Sequence, residues 1–355
     1  MKRIIYITVI CAVNIILIQT LSAQKAPKNV IFLIGDGMGI AQIYAGMVAN
    51  GNRLELEQCT YSGFSKTYSS DNFTTDSGAG GTALACGVKT KNGMIGMTPD
   101  SVAVQSILEL ASQNKLATGI VVACSVTHAT PATYISHQVN RDMYEEIATD
   151  YLKTEIDVFI GGGRKYFEER TDGRNLTNEL KAKNYQIAYK LNDIKAIKSG
   201  KLAGLLYDDQ NPGMPERSTM LPDATETALN ILSNNKKGFF LMVEGSQIDW
   251  AGHDNNTSQI VKEMLDFDVT IGKALDFAKK DRNTLVIITA DHETGGMTIL
   301  DGKFGSEKLK TVFTSKNHSG IPVPVFSYGP GADNFSGFME NTSFKEKIKK
   351  LLKLR

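Results

Sequence analysis

Net charge is almost absent from this chain: 39 Lys and Arg face 38 Asp and Glu across 355 residues, for a formal charge of +1. A general nucleic-acid binder needs a basic surplus to displace counterions from phosphates, so that class is disfavoured. Cysteine is scarce, at four, and Cys11 sits in the amino-terminal apolar run. Processing at Ala23 would leave Cys59, Cys86 and Cys124, an odd number. In an oxidising compartment at least one thiol then stays unpaired, and no pairing follows from sequence. Beyond the amino terminus no segment is long and apolar enough to span a bilayer. Internal repeats and low-complexity linkers are missing too, which favours one domain over residues 24–355. With 42% apolar residues, a chain of this length can bury a large core, which argues against extensive disorder.

What is present begins with a leader-like segment. Lys2-Arg3 precede an apolar run from Ile4 to Leu21, and Leu21-Ser22-Ala23 offers a small-residue exit. Residues 1–23 are therefore expected to be a signal peptide, giving a periplasmic or secreted protein. A retained amino-terminal anchor is the alternative, because the run is near the length that crosses a bilayer. Cys11 follows Val9-Ile10 rather than small residues, which argues against lipid attachment there.

Along the rest of the chain, apolar strand-like runs alternate with helical patterns, as in a mostly parallel sheet covered on both faces. The expected strands are Val30–Ile34, Gly119–Cys124, Ile156–Ile160, Phe239–Val243, Leu285–Thr289 and Val323–Tyr328. Spacing predicts a helix over Val102–Gln113, capped by Ser101. A second is predicted from about Ser258 to Lys280, with Ile260, Met264, Phe267, Ile271, Leu275 and Phe277 on or near one stripe. Residues 164–222 are polar and poor in strand signal, and are expected to form a surface elaboration.

Four stretches carry chemistry. Ile31–Gly39 (IFLIGDGMG) and Leu285–Glu293 (LVIITADHE) both run from β-branched residues into acidic or imidazole side chains. Such strand exits converge in the crevice where open α/β sheets bind ligands. Thr74–Gly93 places Asp76-Ser77 before small residues that suit a helix start. There the Ser77 hydroxyl could act as a nucleophile beside an anion held by the helix amino terminus, or merely cap the helix. The surroundings lack G-x-S-x-G, which points away from a Ser-His-Asp hydrolase and toward activation by metal. In Val243–Asn256, Asp249 and His253 are four apart and would share one face of a helical turn, a pairing that suits zinc. A single Asp-His pair is weak evidence. Asp36, Glu244, Asp249, Asp291 and His292 together, all at or just beyond strand ends, point to a metal-assisted hydrolase, because buried unpaired carboxylates are costly.

These stretches, with HATPATYISHQVNR and the late SKNHSG followed by VPVFSYGPGA, resemble the alkaline phosphatase family in order and over most of the chain. The resemblance implies a three-layer αβα sandwich around a large, mostly parallel sheet, and hydrolysis of small-molecule phosphate monoesters. Ser77 matches the nucleophile that forms a seryl-phosphate, and Arg141 matches the guanidinium that grips two phosphate oxygens. Asp249, His253 and His318 match ligands of one zinc. Asp36, Asp291 and His292 match those of a second, which also contacts the Ser77 oxygen. Asp36, Thr130 and Glu244 correspond to a magnesium site, an oxygen set that a hard cation prefers. In the implied reaction one zinc stabilises the serine oxygen and its neighbour, about 4 Å away, takes the leaving oxygen. Activity above neutral pH is a further implication.

His128 stands where the enterobacterial pattern has aspartate, beside the third metal, and its imidazole should weaken magnesium there. Trp250 replaces a lysine, with two readings: a substrate contact or a cover for apolar surface. His137 matches no ligand and reads as structural. Residues 293–317, where many relatives insert a cap, are few, so a reduced crown and an open cleft are expected. A homodimer is implied by the resemblance, although the cap that contributes to its usual interface is short here. The basic, amphipathic Phe344–Arg355 segment is expected to dock on the body rather than on a membrane. Other functions weighed are a phosphodiesterase or sulfatase of the same superfamily and a non-catalytic secreted phosphate- or metal-binding protein. No C/S-x-P-x-R context surrounds Ser77, and the full set of ligand types argues against the last.

Overall fold

The computed structural model describes residues 26–355, so the leader-like segment and Cys11 lie outside the described residues. Among the described residues there are fourteen strands: β1 (Asn29–Gly35), β2 (Tyr61–Lys66), β3 (Ala117–Ser125), β4 (Val158–Gly162), β5 (Tyr185–Ala188), β6 (Lys201–Leu205), β7 (Phe239–Gly245), β8 (Thr284–Thr289), β9 (Glu293–Thr294), β10 (Met297–Asp301), β11 (Lys310–Phe313), β12 (His318–Ser319), β13 (Val323–Tyr328) and β14 (Gly337–Glu340). Ten of them form one sheet in the order β14-β2-β13-β8-β1-β7-β3-β4-β6-β5. All neighbours run parallel except β13, which is antiparallel to both β2 and β8.

Strand β1 shows why the sheet is central. Its residues are buried along the whole length; Val30, Phe32 and Ile34 enter one apolar cluster, while Ile31 and Leu33 enter the other. A strand covered on both faces reads as a continuous apolar run rather than an alternating one. On the first face lie Leu84 and Cys86, Ile107 to Ala111, and Phe344 and Ile348 of the carboxyl-terminal helix Ser343–Leu352. That helix therefore docks its apolar stripe on the body. The other face is covered by helices Met220–Leu232 and Thr257–Asp281. The result is a three-layer αβα sandwich.

Two expectations are corrected. The helix predicted from Val102 begins at Ile107, with Ser106 as its cap: the Ser106 hydroxyl accepts from Glu109 N, and the Glu109 carboxylate accepts from Ser106 N. Ser101 instead takes a left-handed φ of 63°, and Val102 is 60% exposed. The second correction concerns residues 164–222, which contribute β5 and β6 and so complete one edge of the sheet. The predicted Ser258–Lys280 helix is present as Thr257–Asp281. Between His292 and His318 the chain makes only β9, the β10–β11 hairpin and the start of β12, so the cap is reduced to that hairpin. No helix among the described residues is long and apolar enough to cross a membrane.

Candidate metal centre

Parallel strands in register deliver their carboxyl ends to one place. Ile34 pairs with Glu244 on one side and with Thr289 on the other, so Asp36, Glu244 and Asp291 emerge side by side. Gly37, at a φ of 73°, lies so close to Asp249 that an added Cβ would come within 2.6 Å of its Cα. A left-handed glycine here lets the chain after β1 pass against the helix Gln247–His253. That helix carries Asp249 and His253 one turn apart, as predicted. Short β9–β12 pairing, Thr294 to His318 and Glu293 to Ser319, brings the distant His318 beside His292. Their rings stack with centroids 3.5 Å apart.

Ser77 begins the helix Ser77–Cys86, but Asp76 is the cap, accepting from Ala79 N at 2.8 Å. The Ser77 hydroxyl is thus free of the capping role and lies 3.3 Å from His292 Nε2. Small residues allow this approach: a Cβ on Gly80 would stand 3.1 Å from the Asp291 Cβ. Arg141 reaches the same helix start, with one guanidinium nitrogen 2.9 Å from Asp76 Oδ2.

The predicted ligands gather into overlapping groups. His253 and His318 meet with their Nε2 atoms 3.1 Å apart, and Asp249 Oδ1 lies 3.4 and 3.5 Å from them. His253 Nδ1 lies 2.5 Å from the Lys316 carbonyl and His318 Nδ1 lies 2.8 Å from that of Thr75. With each Nδ1 beside a carbonyl, both Nε2 atoms converge on the Asp249 carboxylate, an arrangement that fits a cation held among them in place of the proton His253 shares with Asp249. In a second group His292 Nε2 stands 3.3 Å from both Asp36 Oδ1 and Asp291 Oδ2. Asp36 Oδ1 and Asp291 Oδ2 are buried with no hydrogen-bond partner. Around Glu244, whose Oε1 is likewise unpartnered, lie Thr130, 3.5 Å from Asp36 Oδ2, and His128 and Cys124. Orphaned acceptors of this kind are rare in native cores, and here they converge on three donor sets of the types that bind metal ions.

Electrostatics agree with that fit. Burial, then the charges of Asp291, Asp249 and Glu244, push the Asp36 carboxyl well above the usual carboxylate range. Burial and the Asp291 charge lift Glu244 to about 8, and burial and Asp249 lift Asp291 to about 7. Asp249 is held low despite its burial, by the His253 hydrogen bond and the surrounding imidazoles. His253 rises to about 9 through its hydrogen bond with Asp249. Burial and then Arg141 lower His128 to about 3. A dication at this place reverses the local preference and ionises the carboxyls.

Asp76, Thr294 and Cys124 escaped the sequence reading. Thr294 donates its hydroxyl to Asp249 Oδ1, and nothing in its sequence context signals that role. Asp76 was legible in principle, as an Asp preceding a helix of small residues. His137 is structural as expected, bridging the Gly96 carbonyl and Glu109. Trp250 packs edge-on against His128, with ring centroids 5.9 Å apart.

Comparison with known proteins places this geometry in context. A family model described as alkaline phosphatase matches residues 27–312. Alkaline phosphatase 4 of Bacillus subtilis is 36% identical, the match covering 94% of this chain and 91% of that protein. The alkaline phosphatase of Escherichia coli K12 is 31% identical over 94% of this chain and 88% of its own. Among solved structures, alkaline phosphatase from the Antarctic bacterium TAB5 matches with a TM-score of 0.89 and 44% identity, covering 93% of this chain and 99% of that one. A TAB5 variant with a His changed to Asp, solved with Mg bound in its M3 site, matches with a TM-score of 0.87, 42% identity and coverage of 94% and 99%.

Proposed function

The chain belongs to the alkaline phosphatase family and is a phosphoric monoester hydrolase, and on that premise we propose that Ser77 carries the phosphoryl group as a covalent seryl-phosphate. The observation that carries this reading is the placement of the Ser77 hydroxyl, buried at a helix start, 3.3 Å from a His292 ring that itself touches Asp36 and Asp291.

In the first step the Ser77 oxygen attacks phosphorus and the ester oxygen leaves as the alcohol. In the second, water attacks the seryl-phosphate, inorganic phosphate departs and the hydroxyl is restored. Arg141 offers two guanidinium nitrogens to two phosphoryl oxygens, a planar match that stabilises the charge developing on them. The Asp76 carboxylate keeps that fork beside the helix start, where backbone N–H groups add positive potential. Asp249, His253 and His318, and Asp36, Asp291 and His292, would hold two zinc ions, which when bound would supply Lewis-acid charge that favours loss of the proton from the serine hydroxyl and from the attacking water and stabilises the departing ester oxygen.

A third cation belongs near Glu244, with Asp36 and Thr130 on one side and His128 on the other. Magnesium suits the oxygen donors, and the TAB5 variant with Mg in its M3 site supports a role for such a neighbour in deciding whether magnesium stays. Trp250 braces His128 and, in this reading, adds an aromatic wall to the substrate side. The leader-like residues 1–23 support action in the periplasm or outside the cell.

The test compares p-nitrophenyl phosphate with a bis ester across pH, for wild type and Ser77→Ala, before and after chelation and zinc restoration. Expected are monoester preference, an alkaline optimum, loss on chelation, recovery with zinc, and a fall of several orders of magnitude for Ser77→Ala. Faster turnover of the diester, or an unchanged Ser77→Ala, overturns the reading.

A further inference from the structure

Cys124 lies in β3 and is absent from the ligand pattern described above, yet it faces the site. Its sulfur is 3.4 Å from Glu244 Oε2, and sulfur, a His128 ring nitrogen and a Glu244 oxygen all lie within 4.8 Å of one another. All three side chains are buried, and His128 Nδ1 and Glu244 Oε1 have no hydrogen-bond partner. A thiol, an imidazole and a carboxylate are an unusual neighbourhood for magnesium, which binds oxygen ligands and keeps several waters. They are a usual one for zinc, whose ligands are cysteine sulfur, histidine nitrogen and carboxylate oxygen.

We propose that Cys124, His128 and Glu244 make the third cation site selective for a thiophilic, zinc-type ion over magnesium, with Cys124 as a direct ligand. On binding, the sulfur–metal bond forms as the thiol loses its proton to solvent, so the cysteine enters as thiolate. Glu244 supplies one oxygen to this set and keeps the other toward Asp36 and Thr130. The proposal deepens the metal-dependent reading of this site and shares with it only the presence of cations at the two neighbouring sets.

Cobalt(II) is the probe, because it occupies zinc sites and shows thiolate coordination as a near-ultraviolet charge-transfer band. The full-length protein, stripped of metal, is titrated with cobalt and followed optically, alongside Cys124→Ser and Cys124→Ala. The first two equivalents should give visible ligand-field bands without a sulfur band. A third should bring the charge-transfer band, which excess magnesium fails to remove. Both variants should lack that band and bind the third ion at least about tenfold more weakly, the lower range for losing even an outer partner of a ligand. Saturation of the wild type at two equivalents, a third without a sulfur band, or a band that survives in both variants overturns the proposal; the last outcome would assign the sulfur to Cys11, Cys59 or Cys86. The wild-type spectrum decides the matter even where a variant fails to fold. Failure of the first two equivalents to bind would instead strike the Ser77 reading.

Discussion

Arg141 and Asp76 are joined at the start of the Ser77–Cys86 helix, with a guanidinium nitrogen 2.9 Å from a carboxylate oxygen that also accepts from Gly93 N at 3.0 Å. The same carboxylate caps the helix through its other oxygen. One side chain therefore fixes both the helix that presents Ser77 and the guanidinium of Arg141, the two groups to which the proposed reaction gives the nucleophile and the phosphoryl contact.

Arg141→Lys keeps the charge and loses the planar fork, so it separates bidentate grip from simple attraction. The expected result is a fall in kcat/KM of about 10- to 100-fold, matching the ~1.5–3 kcal/mol of a hydrogen bond to a charged group. Competitive inhibition by inorganic phosphate should weaken in step. Steady-state kinetics with and without added phosphate check this, and unchanged values would remove Arg141 from the reaction.

Asp76→Ala should lower stability by about 1 kcal/mol through loss of the cap, whereas Asp76→Asn, itself a good cap, should cost much less. Denaturant unfolding of the two variants at matched metal content measures the difference. Equal losses would place the effect in the ion pair rather than in the cap.

Metal affinity should climb with pH. Without cations Glu244 and Asp291 hold protons up to about 8 and about 7, and His253 up to about 9. A cation must displace those protons, so each one displaced adds about tenfold in affinity per pH unit until the pH passes that group's value, after which its contribution levels off. Zinc titration of stripped protein between about pH 6 and about pH 9, by calorimetry in buffers of different ionisation enthalpy, reads both affinity and protons released. Affinity independent of pH would contradict the buried, protonated carboxyls.

His128→Asp replaces a nitrogen donor by oxygen and adds negative charge next to Glu244. Magnesium should then bind more tightly at the third site, by roughly 10- to 100-fold, while zinc binding at the sets proposed around Asp249 and His292 should be unchanged. Metal analysis after dialysis against magnesium checks this. A variant that retains zinc there and rejects magnesium would show that Cys124 alone governs the choice.

Much of the fold was legible because the central strands are buried on both faces and so read as unbroken apolar runs, as at β1, β7 and β8. The outermost strand β5 and its neighbour β6 were not, since YQIA and KLAGL are short and partly polar. Ser101 and Ser106 both look like caps; only the Glu three residues after Ser106 distinguishes them, and the exposed Val102 shows which one the helix uses. At the site, the carboxylates at strand exits could be read directly. Spacing could not bring His318 to His253, because the contact depends on the two-residue β9–β12 pairing. Cys124 was counted as a thiol, and only the register of β3 beside β7, with Val122 opposite Glu244, turns it toward that carboxylate.

The central claim, that Ser77 accepts the phosphoryl group, is tested most directly by acid-quenching the zinc-loaded enzyme during turnover of a monoester and mapping phosphate by peptide mass spectrometry. Phosphate should appear on the peptide containing Ser77, depend on added zinc, and vanish in Ser77→Ala. Full turnover with no phosphopeptide, or phosphate on another residue, would contradict it.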